Sequence, residues 1–122
     1  MRRRRGRSKY GAIRVEYDGY KFDSKLEAAR YKQLRLMEKA GEVKDLELQP
    51  KFPCEVNGKK ICTYISDFRY KLRNGKEVVE DVKGVETAVF KLKKKLVEAL
   101  YPDVTIEIVK NPRFFVIPDL VD

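Results

Sequence analysis

The chain has 122 residues, 43% of them hydrophobic, which is enough for one compact domain with a single core. Charged residues make up 39% and leave a net charge of +9, a surplus that points to a polyanionic partner, nucleic acid before membrane. Histidine is absent, which excludes Ser-His-Asp triads, histidine-built zinc sites and nucleases with a histidine base, and no apolar run is long enough to cross a bilayer.

Residues 1–9 hold Arg2, Arg3, Arg4, Arg5, Arg7 and Lys9. Such a block repels itself and is expected to be a flexible arm. It reads as an arm lying along phosphates rather than a solvated tail, because the rest of the chain is basic too. No apolar segment follows it, so it is not read as a secretory signal. Residues 10–122 then form a single domain.

Ile13–Tyr17 and Tyr20–Phe22 flank Asp18-Gly19, a hairpin signal. Ser24 is a good helix N-cap, and Leu26, Ala29, Gln33/Leu34, Met37 and Ala40 follow at helical spacing up to Gly41. A strand is expected from Leu46 to Phe52, irregular because of Pro50 and Pro53. The Asn57-Gly58 turn then pairs Val56 with Lys59 and sets Cys54 opposite Ile61, which disfavours a Cys54–Cys62 disulfide. Two reduced thiols fit a cytoplasmic protein. One long strand is expected over Lys60–Arg73, turning at Asn74-Gly75 into a strand at Val78–Lys83. A helix over Thr87–Leu100 and a last strand over Thr105–Val109 complete the domain. The C-terminal stretch carries Phe114, Phe115, Val116, Ile117 and Leu120, too apolar for a loose end. The fold class is α/β: a sheet with helices packed against it, preceded by a hairpin.

The chemistry concentrates on four residues. Asp81 and Lys83 stand two apart in a strand, so they leave the same face. Asp67 is a poor strand former among good ones, on the preceding strand. A two-residue Asn74-Gly75 turn sets Asp67 opposite Val82, one residue from Asp81, and a wider turn or a bulge would align the two carboxylates. Two carboxylates suit a hard divalent cation such as Mg²⁺, with Mn²⁺ able to substitute, and a neighbouring lysine can hold a phosphate or a water. Glu27 is the third acid; it fits a capping box with Ser24, or it points from the first helical turn toward the same site. Glu80 sits awkwardly on a face with Val78 and Val82. Lys91, Lys94 and Lys95 share one side of the second helix and could track a DNA backbone.

These residues come in four linked runs: Phe22-Asp23-Ser24-Lys25-Leu26-Glu27-Ala28, Leu46-Glu47-Leu48-Gln49-Pro50-Lys51-Phe52, Tyr64-Ile65-Ser66-Asp67-Phe68 and Val79-Glu80-Asp81-Val82-Lys83-Gly84. Together they resemble a family of small bacteriophage proteins of the PD-(D/E)XK nuclease superfamily, similar to phage Holliday-junction resolvases and more distantly to transposon-end endonucleases. The resemblance spans about Tyr10 to Val109. It implies a restriction-endonuclease-like core of helix, three antiparallel strands, helix and strand. It also implies Glu27, Asp67, Asp81 and Lys83 as catalytic residues, with Asp67, Asp81, Glu27 and the Val82 carbonyl as metal ligands. Gln49 matches a glutamine near the site in relatives, and counts with Arg2, Arg3, Arg4, Arg5, Arg7, Lys91, Lys94 and Lys95 as a DNA-contacting residue. Ser66 stands where the motif has proline. The implied activity is Mg²⁺-dependent cleavage of branched DNA by a homodimer, in the host cytoplasm if the chain is phage-encoded. The alternatives are a nuclease for forks, flaps or plain duplex, and a non-catalytic basic nucleic-acid-binding protein.

Overall fold

Two short turns need backbone that only a few residues tolerate, and the chain supplies those residues. Asp18 and Gly19 both take left-handed φ, 55° and 81°, and so do Asn57 and Gly58, at 51° and 77°. That is the two-residue turn whose twist matches paired strands. The first turn joins β1 (Val15–Tyr17) to β2 (Tyr20–Phe22), and the second joins β4 (Lys51–Val56) to β5 (Lys59–Ile65). The computed structural model describes residues 14–110. The arginine arm and the apolar C-terminal stretch lie outside the described residues.

Helix α1 (Lys25–Lys39) starts where the Ser24 hydroxyl accepts the Glu27 N–H at 3.1 Å. It stops at Gly41, whose φ of 80° lets the Glu42 N–H reach back to the Met37 carbonyl at 2.9 Å. Its buried face is Glu27, Ala28, Arg30, Tyr31, Leu34 and Met37. This corrects the expected stripe: Leu26 and Ala40 are exposed, and two ionisable residues that a hydrophobic pattern assigns to water, Glu27 and Arg30, are inside.

The main sheet has the order β3-β6-β7-β8, with β6 (Phe68–Leu72) antiparallel to both β3 (Val43–Leu48) and β7 (Glu77–Val82). β8 (Ile106–Val109) runs parallel to β7, and helix α2 (Ala88–Leu100) makes the crossover that a parallel pair requires. Side chains alternate across β7. Val78 joins the core beneath α1, with Phe22, Tyr31, Leu34, Phe68 and Tyr70. Val79 joins the core beneath α2, with Phe52, Tyr64, Phe90, Val97 and Ile106. The result is a mixed α/β molecule with a helix against each face of the sheet. Among the described residues no helix is long and apolar enough to cross a membrane.

Three strand expectations need correction. The run from Leu46 to Phe52 and the run from Lys60 to Arg73 each break, at Gln49-Pro50 and at Ser66-Asp67, so β4 and β5 form a separate two-stranded ribbon. Pro50 has no N–H to give a ladder. Gln49 takes φ 55°, and the two breaks are stitched together by Gln49 N–H to Asp67 O at 2.9 Å and Ser66 N–H to Pro50 O at 3.1 Å. In the ribbon a bulge between Cys54 and Glu55 sets Cys54 opposite Cys62, not Ile61; both thiols are free. Finally, the turn after β6 has three residues. The Leu72 N–H bonds to Lys76 O at 2.8 Å, and Gly75 alone is left-handed, at φ 90°. The β6–β7 register therefore pairs Phe68 with Glu80. Asp67 is next in line with Asp81 rather than Val82.

Candidate active site

The β6–β7 ladder ends at Phe68 and Glu80, and beyond it carboxylates take the place of backbone carbonyls as acceptors. The Asp67 N–H donates to Asp81 Oδ1 at 2.9 Å, and the Val82 N–H donates to Asp67 Oδ2 at 2.8 Å. Each aspartate thus clasps the other's strand. Ser66, fully buried, ties the same point to β7 through its hydroxyl, which donates to Glu80 O at 2.7 Å. Asp81 is 1% exposed, and its Oδ2 has no hydrogen-bond partner among the described residues. A buried carboxylate oxygen left alone is costly, and that position needs a proton or a cation.

Glu27 reaches this point from the first turn of α1. Its Oε1 accepts the Asp23 N–H at 3.3 Å, so part of the carboxylate serves the helix start. Its other neighbour is Asp67, whose charge and hydrogen bond act on it. Burial, followed by the Asp67 charge, pushes the Glu27 carboxyl up to about 8. Burial raises Asp81 to about 6, opposed by the Lys83 ammonium and the Asp67 N–H. Asp67 is raised as well, by burial first, against the pull of the Val82 N–H and Lys83. Three acids that hold protons this firmly form a cluster short of positive charge.

Lys83 is half-buried past the end of β7, its Nζ 4.6 Å from the centre of the Phe90 ring on α2. Val82, between Asp81 and Lys83, is half-buried. The structure therefore brings Glu27, Asp67, Asp81 and Lys83 into one neighbourhood from α1, the β5–β6 break and β7. Among the described residues, however, no group of three or more carboxylates or thiolates stands close enough to hold a metal ion as arranged. The aspartates face backbone N–H groups instead.

The cluster has a support that the sequence reading does not assign. Arg30, one turn after Glu27, is fully buried and grips Glu80, the neighbour of Asp81. Its Nε lies 2.6 Å from Oε1 and its Nη2 2.9 Å from Oε2. Tyr70 donates its hydroxyl to Glu80 Oε2. This resolves the awkward Glu80: it is the buried half of an ion pair joining α1 to β7. The available signal was an arginine at 30 on the same helical side as Leu34 and Met37.

A cavity of about 440 Å³ opens beside the acids, lined by Tyr20, Lys21, Phe22, Glu27, Leu48, Gln49 and Asp67, with Gly19 at the hairpin turn. Gln49 thus lies next to Asp67, its N–H bonded to the Asp67 carbonyl. On α2, Lys91 and Lys95 are exposed, while Lys94 is half-buried and paired with Glu98 at 3.1 Å. Arg2, Arg3, Arg4, Arg5 and Arg7 lie outside the described residues.

A family model described as "Protein of unknown function (DUF1064)" matches residues 7–115, which include every element and every candidate residue from Glu27 to Lys95. The chain belongs to the DUF1064 family. No curated protein and no solved structure matches it. Membership of DUF1064 carries no activity with it, so a function for this chain has to be argued from the acids, the lysine and their surroundings.

Proposed function

We propose that this protein is a metal-dependent endodeoxyribonuclease of the PD-(D/E)XK type, with a restriction-endonuclease-like core, acting on branched DNA as a Holliday-junction resolvase. The observation that carries the reading is the Asp67–Asp81 clasp, with one buried Asp81 oxygen unpartnered and Glu27 pressed against Asp67. The helix–strand–strand–strand–helix–strand order around that point supports the fold reading, with the β4–β5 ribbon as an insertion.

The donor chemistry fits Mg²⁺. The available groups are hard oxygens, one is orphaned, and the cluster lacks the positive charge that would let its acids ionise together. Asp67, Asp81, Glu27 and the Val82 carbonyl would hold the ion, with the unpartnered Asp81 Oδ2 available while Oδ1 keeps the Asp67 N–H. When bound, the metal supplies charge neutralisation at the phosphate and a more acidic water. Asp81 and Asp67 bind and, once ionised, are unable to act as proton donors. Lys83, on the same side of β7 as Asp81, orients the attacking water or offsets charge developing on the phosphate oxygens. Lys91, Lys95 and the arginine arm contact the DNA backbone without reading sequence. Paired cuts on opposite strands need two sites, hence a two-fold homodimer.

A second reading has one observation in its favour: each aspartate satisfies a backbone N–H, which is a structural duty. On that reading the protein is a basic nucleic-acid-binding module without catalysis. A panel of labelled junction, fork, flap, duplex and single strand incubated with Mg²⁺ or Mn²⁺ separates the two. The nuclease reading expects cutting of branched substrates that Asp81→Asn and Lys83→Ala abolish while DNA binding persists. Cutting by either variant at the wild-type rate, or no cutting of any substrate by the wild type, sinks it.

A further inference from the structure

The β1–β2 hairpin does more than cover α1. Phe22 is buried beneath it, and the Tyr31 hydroxyl donates to Asp18 Oδ2 at 3.1 Å, so the turn is held to the helix. Tyr20 stays 42% exposed, with its ring 5.7 Å from that of Tyr31 and 6.4 Å from that of Phe22. It forms one wall of the cavity of about 440 Å³ whose other members include Leu48, Gln49, Glu27 and Asp67. Gln49, turned out of its strand by a φ of 55°, bonds through its backbone to Asp67, and its side-chain amide makes no hydrogen bond to the described residues. Lys21 is the one cation lining this space among the described residues.

These features select a ligand. The size suits a single planar group of nucleoside scale rather than the side of a duplex. Glu27 and Asp67 line the same space and offer carboxyl oxygens to exocyclic amines. Tyr20 and Leu48 offer an aromatic and apolar surface to a ring, with Phe22 buried behind them. A free amide can pair with a base edge, and every base has a face that stacks on an aromatic ring.

We propose that the cavity under the β1–β2 hairpin is a subsite for one unpaired nucleotide next to the cleavage position, with Tyr20 stacking on the base, Gln49 meeting its edge and Lys21 holding a flanking phosphate. This rests on the nuclease reading for its choice of DNA as ligand, but it concerns binding and not cutting. It makes the hairpin the element that selects branched or frayed DNA over paired duplex, because only the former offers a base at no cost of unpairing.

The test uses the full chain with Ca²⁺ in place of Mg²⁺. A fork carries 2-aminopurine at the first unpaired position, and a fully paired duplex of equal length is the control. The wild type is expected to change the 2-aminopurine emission on binding. Tyr20→Ala should lose that change and bind the fork roughly five- to a hundredfold more weakly, with duplex affinity unchanged. Tyr20→Phe keeps the ring and should behave as wild type, which separates lost stacking from a damaged hairpin. Lys21→Ala should lower the slope of log affinity against log salt by about 1. Equal losses on fork and duplex, or 2-aminopurine emission indifferent to the wild type, overturn the subsite. Cutting with Mg²⁺ is scored separately. A wild type that cuts forks while Tyr20→Ala discriminates nothing removes the subsite alone. The expected Tyr20 effect without any cutting removes the nuclease reading alone. No nucleic-acid binding by the wild type removes both.

Discussion

Arg30→Met isolates what the buried ion pair does. Both side chains of the Arg30–Glu80 pair are 0% exposed, and the guanidinium makes two parallel contacts of 2.6 and 2.9 Å to the carboxylate. Burial opposes the charged arginine, and Glu80 more than restores it, so the Arg30 pKa is raised. Methionine fills similar space but leaves Glu80 in the core with the Tyr70 hydroxyl and no cation. Breaking a buried pair from one side costs roughly 3–5 kcal/mol. A domain of this size has roughly 5–15 kcal/mol in total, so a large share of its stability is at stake. In a thermal scan the loss corresponds to a fall of roughly 15–30 °C. Replacing both partners by apolar groups, Arg30→Met with Glu80→Leu, removes the stranded charge and should return to within about 1 kcal/mol of wild type or exceed it. Urea unfolding followed by far-ultraviolet circular dichroism measures all three proteins, and an unchanged m-value keeps the comparison on the native state. A loss of less than about 1 kcal/mol in Arg30→Met, or a double variant no more stable than the single one, would refute this role for the pair. The pair also ties the turn after Glu27 to the residue before Asp81. A double variant that is stable but cuts poorly would mark Arg30 and Glu80 as positioning residues for the proposed site.

The acid cluster makes stability depend on pH in a defined direction. Folded Glu27 and Asp81 hold protons up to about 8 and about 6, above their ordinary values of 4.5 and 3.8, so the stability these two groups contribute is fully present below those ordinary values and is lost as pH rises through the folded ones. The urea midpoint should drop between pH 5 and pH 8.5, and Glu27→Gln should flatten that drop; a slope unchanged by the substitution would exclude Glu27 as its source. If the cluster takes a hard divalent cation, 10 mM Ca²⁺ raises the midpoint more at pH 8.5 than at pH 5, because binding competes with protons; equal shifts at both pH values would speak against the site. Cys54 is fully buried with its thiol pKa raised by burial, whereas Cys62 is only half-buried. A thiol reagent should therefore titrate one cysteine quickly in the native protein and both in denaturant; two fast native thiols would contradict the packing of the ribbon. Tyr70→Phe removes one hydrogen bond to the buried Glu80 carboxylate and should cost roughly 1.5–3 kcal/mol in the same urea assay.

Much of the candidate site is legible along the chain. Asp81 and Lys83 share a strand face by spacing alone, and the Ser24 cap puts Glu27 in the first turn of α1 whatever the rest of the molecule does. The Asp67–Asp81 alignment is another matter. An Asn-Gly pair can close a two-residue turn or sit inside a three-residue one, and the choice moves every partner on β6 by one position. Asn57-Gly58 takes the first form and Asn74-Gly75 the second. The break at Ser66-Asp67 has no strong local marker either. It exists because Gln49 and Pro50, seventeen positions upstream, supply its hydrogen-bond partners.

The sequence by itself determined the elements whose conformation depends on a few adjacent residues: the left-handed turns at Asp18-Gly19 and Asn57-Gly58, the caps at Ser24 and Gly41, and the runs between them. Backbone preference acts over four or five residues, so neighbours alone suffice. The tertiary structure decided which face of α1 turns inward, where two long strands break, and which acid meets which. Those outcomes depend on charge and hydrogen-bond partners remote in the chain. Arg30 shares its helical side with Leu34 and Met37, but what makes its burial tolerable is Glu80, held in turn by Tyr70, and those partners lie far from position 30 in the chain.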